Sequence, residues 1–397
     1  MRRVAVTGIG VVSALGINAE QFWKSLALGR TGIRPIKSLD VTRFKIPNGA
    51  EAGLFDPLAH LDAKSAGMLD RSTQLASAAA EEAIATSGLR VEGDRTAVVT
   101  GCSLGGKISE DEAYRRLYSE GRERFEPMTI PRVMANASAS WISMRHRITG
   151  PCYTVSTACA SAAHAIGQAF WMVRNGLVEA AITGGTEAPF TPGLLRGWEA
   201  MRVVSATTCR PFSKDRDGLI LGEGAAMFVL ELFESAQARG AKIYAEICGF
   251  GMTSDAGHLT MPSALGAAAA MRSALADGCF HPSDIGYINA HGTGTDANDR
   301  TEAEAIRSVF RRTPPVSSTK SMHGHALGAS PALEAAATIF ALHNGMLPPT
   351  ANYTTPDPEC NLDVIANEPR DIKALAALSN SFAFGGLNAV LAFRKAG

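Results

Sequence analysis

One cysteine sits where a sequence places a nucleophile. Val155-Ser156-Thr157-Ala158-Cys159-Ala160-Ser161 follows a strand-like run, Tyr153-Thr154-Val155, and precedes a helical pattern of Ala162, Ala163, Ile166, Ala169 and Phe170. That spacing predicts a strand-to-helix turn with Cys159 near the first helical turn. Unpaired backbone N–H groups and the positive end of the helix dipole favour thiolate there, and thiolate is the reactive form. Small neighbours, Ala158, Ala160 and Ser161, leave room for an extended substrate. A lone cysteine is more often a buried, inert side chain, so the chemistry has to be judged with its distant companions.

Three downstream loops supply those companions, each polar, glycine-rich and at a predicted strand end. Asn289-Ala290-His291-Gly292-Thr293-Gly294-Thr295 offers a histidine with glycines that permit close backbone approach. Ser318-Thr319-Lys320-Ser321-Met322-His323-Gly324-His325 offers Lys320 and His325, followed by a helix that carries Glu334. Asn380-Ser381-Phe382-Ala383-Phe384-Gly385-Gly386 is a glycine turn holding an aromatic. His164 and His323 are read as structural. Ser317-x-x-Lys320 has the β-lactamase spacing, but the rest of that motif set is missing.

The elements that must position these loops read as α/β. Strands are predicted at Val4–Gly8, Thr96–Gly101, Val178–Gly185, Ala225–Glu231, Ala241–Gly249, Ile285–Gly292, Val316–Lys320, Ala376–Ser379 and Ala389–Phe393. Helices are predicted near 20–30, 69–88, up to 277, 299–310 and 330–344, and a long loop covers 205–224. Strand, helix, strand, loop, strand recurs in both parts of the chain, which suggests two related halves, 1–240 with the cysteine and 241–397 with the two histidines. Gly8-Ile9-Gly10 lacks the later acidic residue of a dinucleotide fingerprint, so a tight turn into a helix is expected there. Residues 109–135, with Arg115, Arg116, Arg122, Arg124 and Arg132, read as a solvated surface.

Composition narrows the class. The 397 residues carry 38 basic and 38 acidic side chains, so no charge excess points to nucleic acid or a membrane surface. The seven cysteines, at 102, 152, 159, 209, 248, 279 and 360, show neither CxxC pairs nor zinc spacing. Reduced thiols and a cytoplasmic location are expected. The N-terminal segment passes into a strand pattern without an apolar signal core.

Cys159 in Ser-Thr-Ala-Cys-Ala, His291 in His-Gly-Thr-Gly-Thr, and Lys320 with His325 in Lys-Ser-Met-x-Gly-His together resemble the β-ketoacyl-acyl-carrier-protein synthase II family of condensing enzymes. The resemblance runs from Val4-Ala5-Val6-Thr7-Gly8 through Arg210-Pro211-Phe212-Ser213 and Gly222-Glu223-Gly224 to the Phe384 loop. Within that family, Ala297-Asn298-Asp299 and Pro348-Pro349-Thr350-Ala351-Asn352-Tyr353 are similar to the nodulation protein E branch and to ketosynthases of reducing, polyene-forming type II polyketide systems. The resemblance implies a thiolase fold, two pseudo-symmetric halves in five αβαβα layers, and a dimer. It implies that Cys159 accepts an acyl group from the phosphopantetheine arm of an acyl carrier protein, and that malonyl carrier protein then extends it by two carbons with loss of the donor carboxylate. Backbone N–H groups of Cys159 and Phe384 would form the oxyanion hole, and His291 and His325 would stabilise the enolate. Thr293 and Thr295 would hold the pantetheine arm, and the Phe384 ring would act as a gate. Lys320, held by Glu334, would set the local field and order His325. No cofactor of its own and no metal is implied.

Two departures bear on specificity. The gate usually reads Gly-Phe-Gly-Gly-Thr, and here it is Ala383-Phe384-Gly385-Gly386-Leu387, which predicts a different gate motion. Around 64–71 only Lys64 and Arg71 remain basic, so carrier docking is expected to lean on Arg122, Arg124 and Arg202. Rival readings are a non-catalytic chain-length factor, which typically lacks the cysteine, and a thiolase, which needs a second cysteine after residue 360 that this chain does not have. Homodimer and heterodimer with a chain-length-factor homologue both stay open, as do primary fatty-acid elongation and a polyene or specialised fatty-acyl pathway.

Overall fold

A computed structural model describes residues 2–397. Ten strands form the main sheet: β1 Val4–Ser13, β2 Thr96–Gly101, β3 Cys152–Val155, β4 Ala180–Glu187, β5 Gly224–Leu232, β6 Ala245–Ser254, β7 Tyr287–Asn289, β8 Val316–Ser317, β9 Ala376–Ala383 and β10 Leu387–Lys395. Their spatial order is β8-β7-β9-β10-β6-β1-β5-β4-β2-β3. Read outward from the middle, the first half runs β1-β5-β4-β2-β3 and the second β6-β10-β9-β7-β8, which is the same order twice. Strand directions repeat as well. β5 is antiparallel to β1 and β4, while β2 runs parallel to β4 and β3. β10 is antiparallel to β6 and β9, while β7 runs parallel to β9 and β8. Within the main sheet the ladders of the two halves meet at Val4–Ile247, Ala5–Glu246 and Val6–Ala245, so two sheets touch along one short seam.

Five helices complete the layers: α1 Arg71–Ser87, α2 Ser161–Arg174, α3 Ala264–Asp277, α4 Asp296–Val309 and α5 Ser330–Asn344. α1 lies on β1 and β5; α3 lies on β6 and β10, with α4 beside it. α2 and α5 pack against each other and touch strands of both halves, which makes them the central layer of an αβαβα stack. Their sequences explain the position. α5 is buried from Ser330 through Leu342 and is small and apolar all round, as a helix between two sheets must be. Gly167 of α2 is needed for the closeness, since a Cβ there would meet the Phe250 ring at 2.4 Å.

Several local expectations shift. Gly8 and Gly10 make no turn: β1 continues to Ser13, and a Cβ on either would strike the Ala83 or Ala79 carbonyl oxygen of α1 at about 2 Å. Their purpose is strand-to-helix contact. The strand expected from Ala241 starts at Ala245, and the one expected over Ile285–Gly292 shortens to Tyr287–Asn289. Lys320 opens a short helix, Lys320–His323, in place of ending a strand. Helices Lys107–Glu120 and Thr129–Val133 in the arginine-rich region bury no side chain.

Candidate active site

The turn between β3 and α2 is tight and polar-braced. Ala158 has φ +48°, a left-handed conformation that costs an alanine about 1 kcal/mol. Ser161 holds it: its Oγ donates to the Ala158 carbonyl at 2.6 Å and accepts from the Thr157 N–H at 2.9 Å. The Ala160 N–H closes onto the Thr157 carbonyl at 3.1 Å. Cys159 is thereby set at the bottom of an apolar cluster with Phe190, Leu195, Leu219 and Leu327, 7% exposed.

Burial changes the expected chemistry of the thiol. Desolvation pushes Cys159 up to about 12; Lys320 opposes it, Glu187 and Glu334 add to it, and the Phe384 N–H directed at the sulfur opposes it. Burial thus works against the resting thiolate that the helix end is expected to favour: Cys159 stands ahead of Ser161, the first residue of α2, and is almost wholly shielded by its neighbours. Pseudo-first-order alkylation by iodoacetamide should rise about tenfold per pH unit from pH 6 to 10. A plateau between pH 6 and 8 would show that the helix end prevails over burial.

The histidines approach from the other half. β7 ends at Asn289, and the loop after it folds back over α4. The Glu302 carboxylate accepts the N–H groups of His291 at 2.9 Å and Gly292 at 2.8 Å, and Asp299 accepts that of Gly294 at 3.2 Å. Gly292 and Gly294, with φ +37° and +77°, permit this wrap. His325 is held by its N–H on the Ile220 carbonyl at 2.6 Å and by Nδ1 against the Ser330 Oγ at 2.8 Å. The two imidazoles stand 5.5 Å apart, edge to face.

Lys320 fixes the tautomer of His291. Its Nζ donates to the Glu334 carboxylate, to the His291 carbonyl at 2.6 Å and to His291 Nδ1 at 3.2 Å. An ammonium only donates, so Nδ1 accepts and the ring proton sits on Nε2. Lys320 and Glu334 are both fully buried. Burial, then the Lys320 charge, holds both His291 and His325 well below the usual imidazole range, so both are neutral. Burial pushes the Glu334 carboxyl up to about 7, against the Lys320 ammonium.

Cys159, His291 and His325 line one cavity of about 540 Å³, together with Thr293, Thr295 and Phe384. The Thr293 and Thr295 hydroxyls are 2.8 Å apart. The Phe384 ring stacks on Trp198 at 6.2 Å between centroids. Gly385 and Gly386 carry the positive φ values of this turn, +84° and +70°, while Ala383 ends β9 outside the left-handed region. The alanine in place of the family's glycine thus causes no backbone strain in this conformation. Arg202 is exposed and lines the same cavity. Arg122 and Arg124 do not join it; they border a separate depression of about 70 Å³, where Arg122 pairs with Glu120 at 3.1 Å. His164 is engaged with Thr157 and the Ala160 carbonyl, and His323 with Thr319 and the Gly324 carbonyl, as structural residues would be.

Three buried carboxylates that brace the site loops receive no role from the sequence: Asp299, Glu302 and Glu187. Asp299 and Glu302 had a usable signal, being three residues apart on one helix face directly after the His291 loop. Glu187 had none, since its partners come from distant segments.

Comparison with known proteins agrees with this geometry. Residues 1–236 match the family model described as "Beta-ketoacyl synthase, N-terminal domain", and residues 244–354 match "Beta-ketoacyl synthase, C-terminal domain". The chain is 46% identical over 401 residues to nodulation protein E of Rhizobium sp. (strain N33), covering 99% of each. It is 40% identical over 407 residues to 3-oxoacyl-[acyl-carrier-protein] synthase 2 of Staphylococcus aureus (strain COL), covering 99% of this chain and 98% of that one. A solved structure titled "The ishigamide ketosynthase/chain length factor" superposes with a TM-score of 0.96 at 36% identity, over the full length of both chains. With the thiolase-type duplicated stack, the Cys-His-His cavity and both domain matches in hand, this chain belongs to the β-ketoacyl synthase family.

Proposed function

We propose that this chain is an elongating ketosynthase that condenses an acyl group carried on Cys159 with malonyl carrier protein. The observation that carries this is the convergence of a buried thiol and two neutral imidazoles on one cavity that Phe384 also lines. In the first half-reaction the Cys159 sulfur attacks the carrier thioester, a new thioester forms, and the carrier thiol leaves with the proton that Cys159 gives up. The N–H groups of Cys159 and Phe384 serve the tetrahedral oxyanion, each worth roughly 3 kcal/mol. In the second, the malonyl carboxylate departs as carbon dioxide and its electron pair passes into an enolate. His291 Nε2–H donates a hydrogen bond to that oxygen, and His325 donates from its cavity-facing nitrogen. The enolate carbon attacks the acyl-Cys159 carbonyl, the C–S bond breaks, and the cysteine sulfur takes up a proton. Lys320 keeps His291 in the donating tautomer, with Glu334 as its counter-ion.

Thr293 and Thr295 hold the pantetheine arm, and Arg202 receives the acidic carrier at the entrance, with Arg122 and Arg124 as a second contact. The two halves are taken as 1–240 and 241–397, on the strand-and-loop pattern, and the location as the cytoplasm, on the unpaired cysteines. No helix among the described residues is long and apolar enough to cross a membrane. For the pathway, the Ala383 gate substitution and the motifs similar to nodulation protein E favour a polyene or specialised fatty-acyl chain over primary fatty-acid synthesis. Likeness to a structure titled as a ketosynthase/chain length factor makes a chain-length-factor homologue a partner to test beside a homodimer.

Intact mass spectrometry with a panel of saturated and 2,4-unsaturated acyl carrier proteins tests this. The expected result is an acyl adduct on Cys159 that malonyl carrier protein converts into a ketoacyl carrier two carbons longer. Preference for the unsaturated chain identifies the specialised pathway, and preference for saturated chains identifies primary synthesis. An adduct that appears only with an added homologous subunit identifies a heterodimer. No adduct in either setting rejects the ketosynthase assignment.

A further inference from the structure

Glu187 ends β4 in the cysteine-bearing half, yet its carboxylate is shared between two loops that each send a leucine into the apolar cluster around Cys159. One oxygen accepts the Ser103 N–H at 2.8 Å, the Ser103 hydroxyl and the Gly328 N–H at 3.1 Å. The other accepts the Leu104 N–H at 3.1 Å and the Cys102 thiol at 3.4 Å. The side chain is fully buried, and every partner is a donor. Burial pushes the carboxyl above its ordinary value, and the Ser103, Cys102 and Leu104 donors oppose that rise. The ionised carboxylate accepts from the whole set, whereas a glutamine sets its NH₂ against at least one backbone N–H whichever way it turns.

Gly328 lies in the turn His325-Ala326-Leu327-Gly328-Ala329-Ser330. That turn presents His325 and supplies the Ser330 hydroxyl to its ring. Its start is fixed by the His325 N–H on the Ile220 carbonyl and by the Gly222 N–H on the His325 carbonyl at 2.9 Å. Its middle is bent: Leu327 has φ +46°, a conformation a leucine avoids, and the next N–H is the one Glu187 holds. Close approach is built in, because a Cβ on Gly328 would stand 2.7 Å from a Glu187 oxygen. Leu327, on this turn, and Leu104, on the other loop, both pack in the apolar cluster that contains Cys159.

We propose that Glu187 is a positioning residue for condensation, a carboxylate of one half that sets the His325 turn of the other at its working distance from Cys159. It rests on the ketosynthase assignment above. Its positioning falls on the second half-reaction, because His325 serves the enolate; on the first, the Glu187 charge acts only to push the Cys159 thiol up, so removing it does not slow acyl transfer. A misplacement of about 1 Å in a catalytic group can lower rate by about 10²-fold.

The test uses the full-length protein with hexanoyl and malonyl thioesters of a bacterial acyl carrier protein and measures the two half-reactions separately. Glu187→Gln should lower kcat for condensation about 30- to 100-fold, with KM for malonyl carrier protein within about threefold of wild type and acyl adduct formation no slower than about a third of the wild-type rate, since loss of the charge eases ionisation of Cys159. Gly328→Ala keeps the carboxylate but pushes the turn off it, and should reproduce the same split; it decides the matter if the glutamine variant does not fold. A parallel fall of both half-reactions, tracking the folded fraction, would reduce Glu187 to a structural residue and overturn the inference. Condensation within threefold of wild type would overturn it as well. A wild-type chain that forms no ketoacyl product would instead remove the ketosynthase assignment, and this inference with it.

Discussion

Cys159→Ala is expected to abolish the acyl adduct and to lower ketoacyl product formation by about 10⁴-fold or more, because no neighbouring group can carry the chain between the two half-reactions. The fold should survive. The change removes one buried sulfur, costing about 1 kcal/mol, and leaves the Ala158 and Ser161 contacts of the turn intact. Intact mass, product formation and a thermal melt check the three parts together. Product at more than a hundredth of the wild-type rate would move the covalent step away from Cys159. Six other cysteines serve as internal controls, among them Cys152 and Cys279, which are exposed and should alkylate regardless.

Lys320→Met is expected to damage stability and activity by separable routes. Removing the ammonium leaves Glu334 buried without a counter-charge, which costs on the order of 3–5 kcal/mol. Glu334 already sits at about 7 with Lys320 present, and loss of the cation raises it further, so the variant's Glu334 is protonated when folded. An acid whose folded value lies above its unfolded one holds its proton more tightly in the folded state. Stability contributed by that proton is present below the unfolded value and is lost as pH rises. The melting temperature of Lys320→Met should therefore fall from pH 5 toward pH 8 more steeply than that of wild type. The double variant Lys320→Met/Glu334→Leu should recover most of the stability, since a well-packed apolar pair is tolerated where an ion pair stood. Condensation should stay about 10²- to 10³-fold below wild type in both, because His291 Nδ1 has lost the donor that placed its proton on Nε2. Recovery of activity in the double variant would mean that Lys320 acts only through the fold.

The loops were readable because their signals are local. A strand run, a few glycines or small residues and one reactive side chain identify the segments around Cys159, His291, Lys320 with His325, and Phe384, and a turn's chemistry is carried by the residues in it. The α/β class was readable for the same reason, from periodicity in short windows. Glycine usage was legible only in part. Gly292 and Gly294 occupy the wrap that their loop implied, whereas Gly8 and Gly10 serve a helix some seventy residues away.

The sequence by itself determined which residue types are available for chemistry, in which loops they stand, and that the architecture is a duplicated α/β one. Tertiary structure alone decided how those residues behave. The Cys159 thiol is pushed up because apolar side chains from several remote segments exclude water from it, and no window around residue 159 contains that information. The same holds for the proton on His291 Nε2, which depends on a lysine 29 residues later. It holds again for Glu187, whose partners lie 84 and 141 positions away along the chain. Conformational preference is a property of neighbours in sequence, but desolvation, charge pairing and hydrogen-bond geometry are properties of neighbours in space. The identical strand order of the two halves also became visible only in the folded chain, since it is fixed by pairing between strands far apart in sequence.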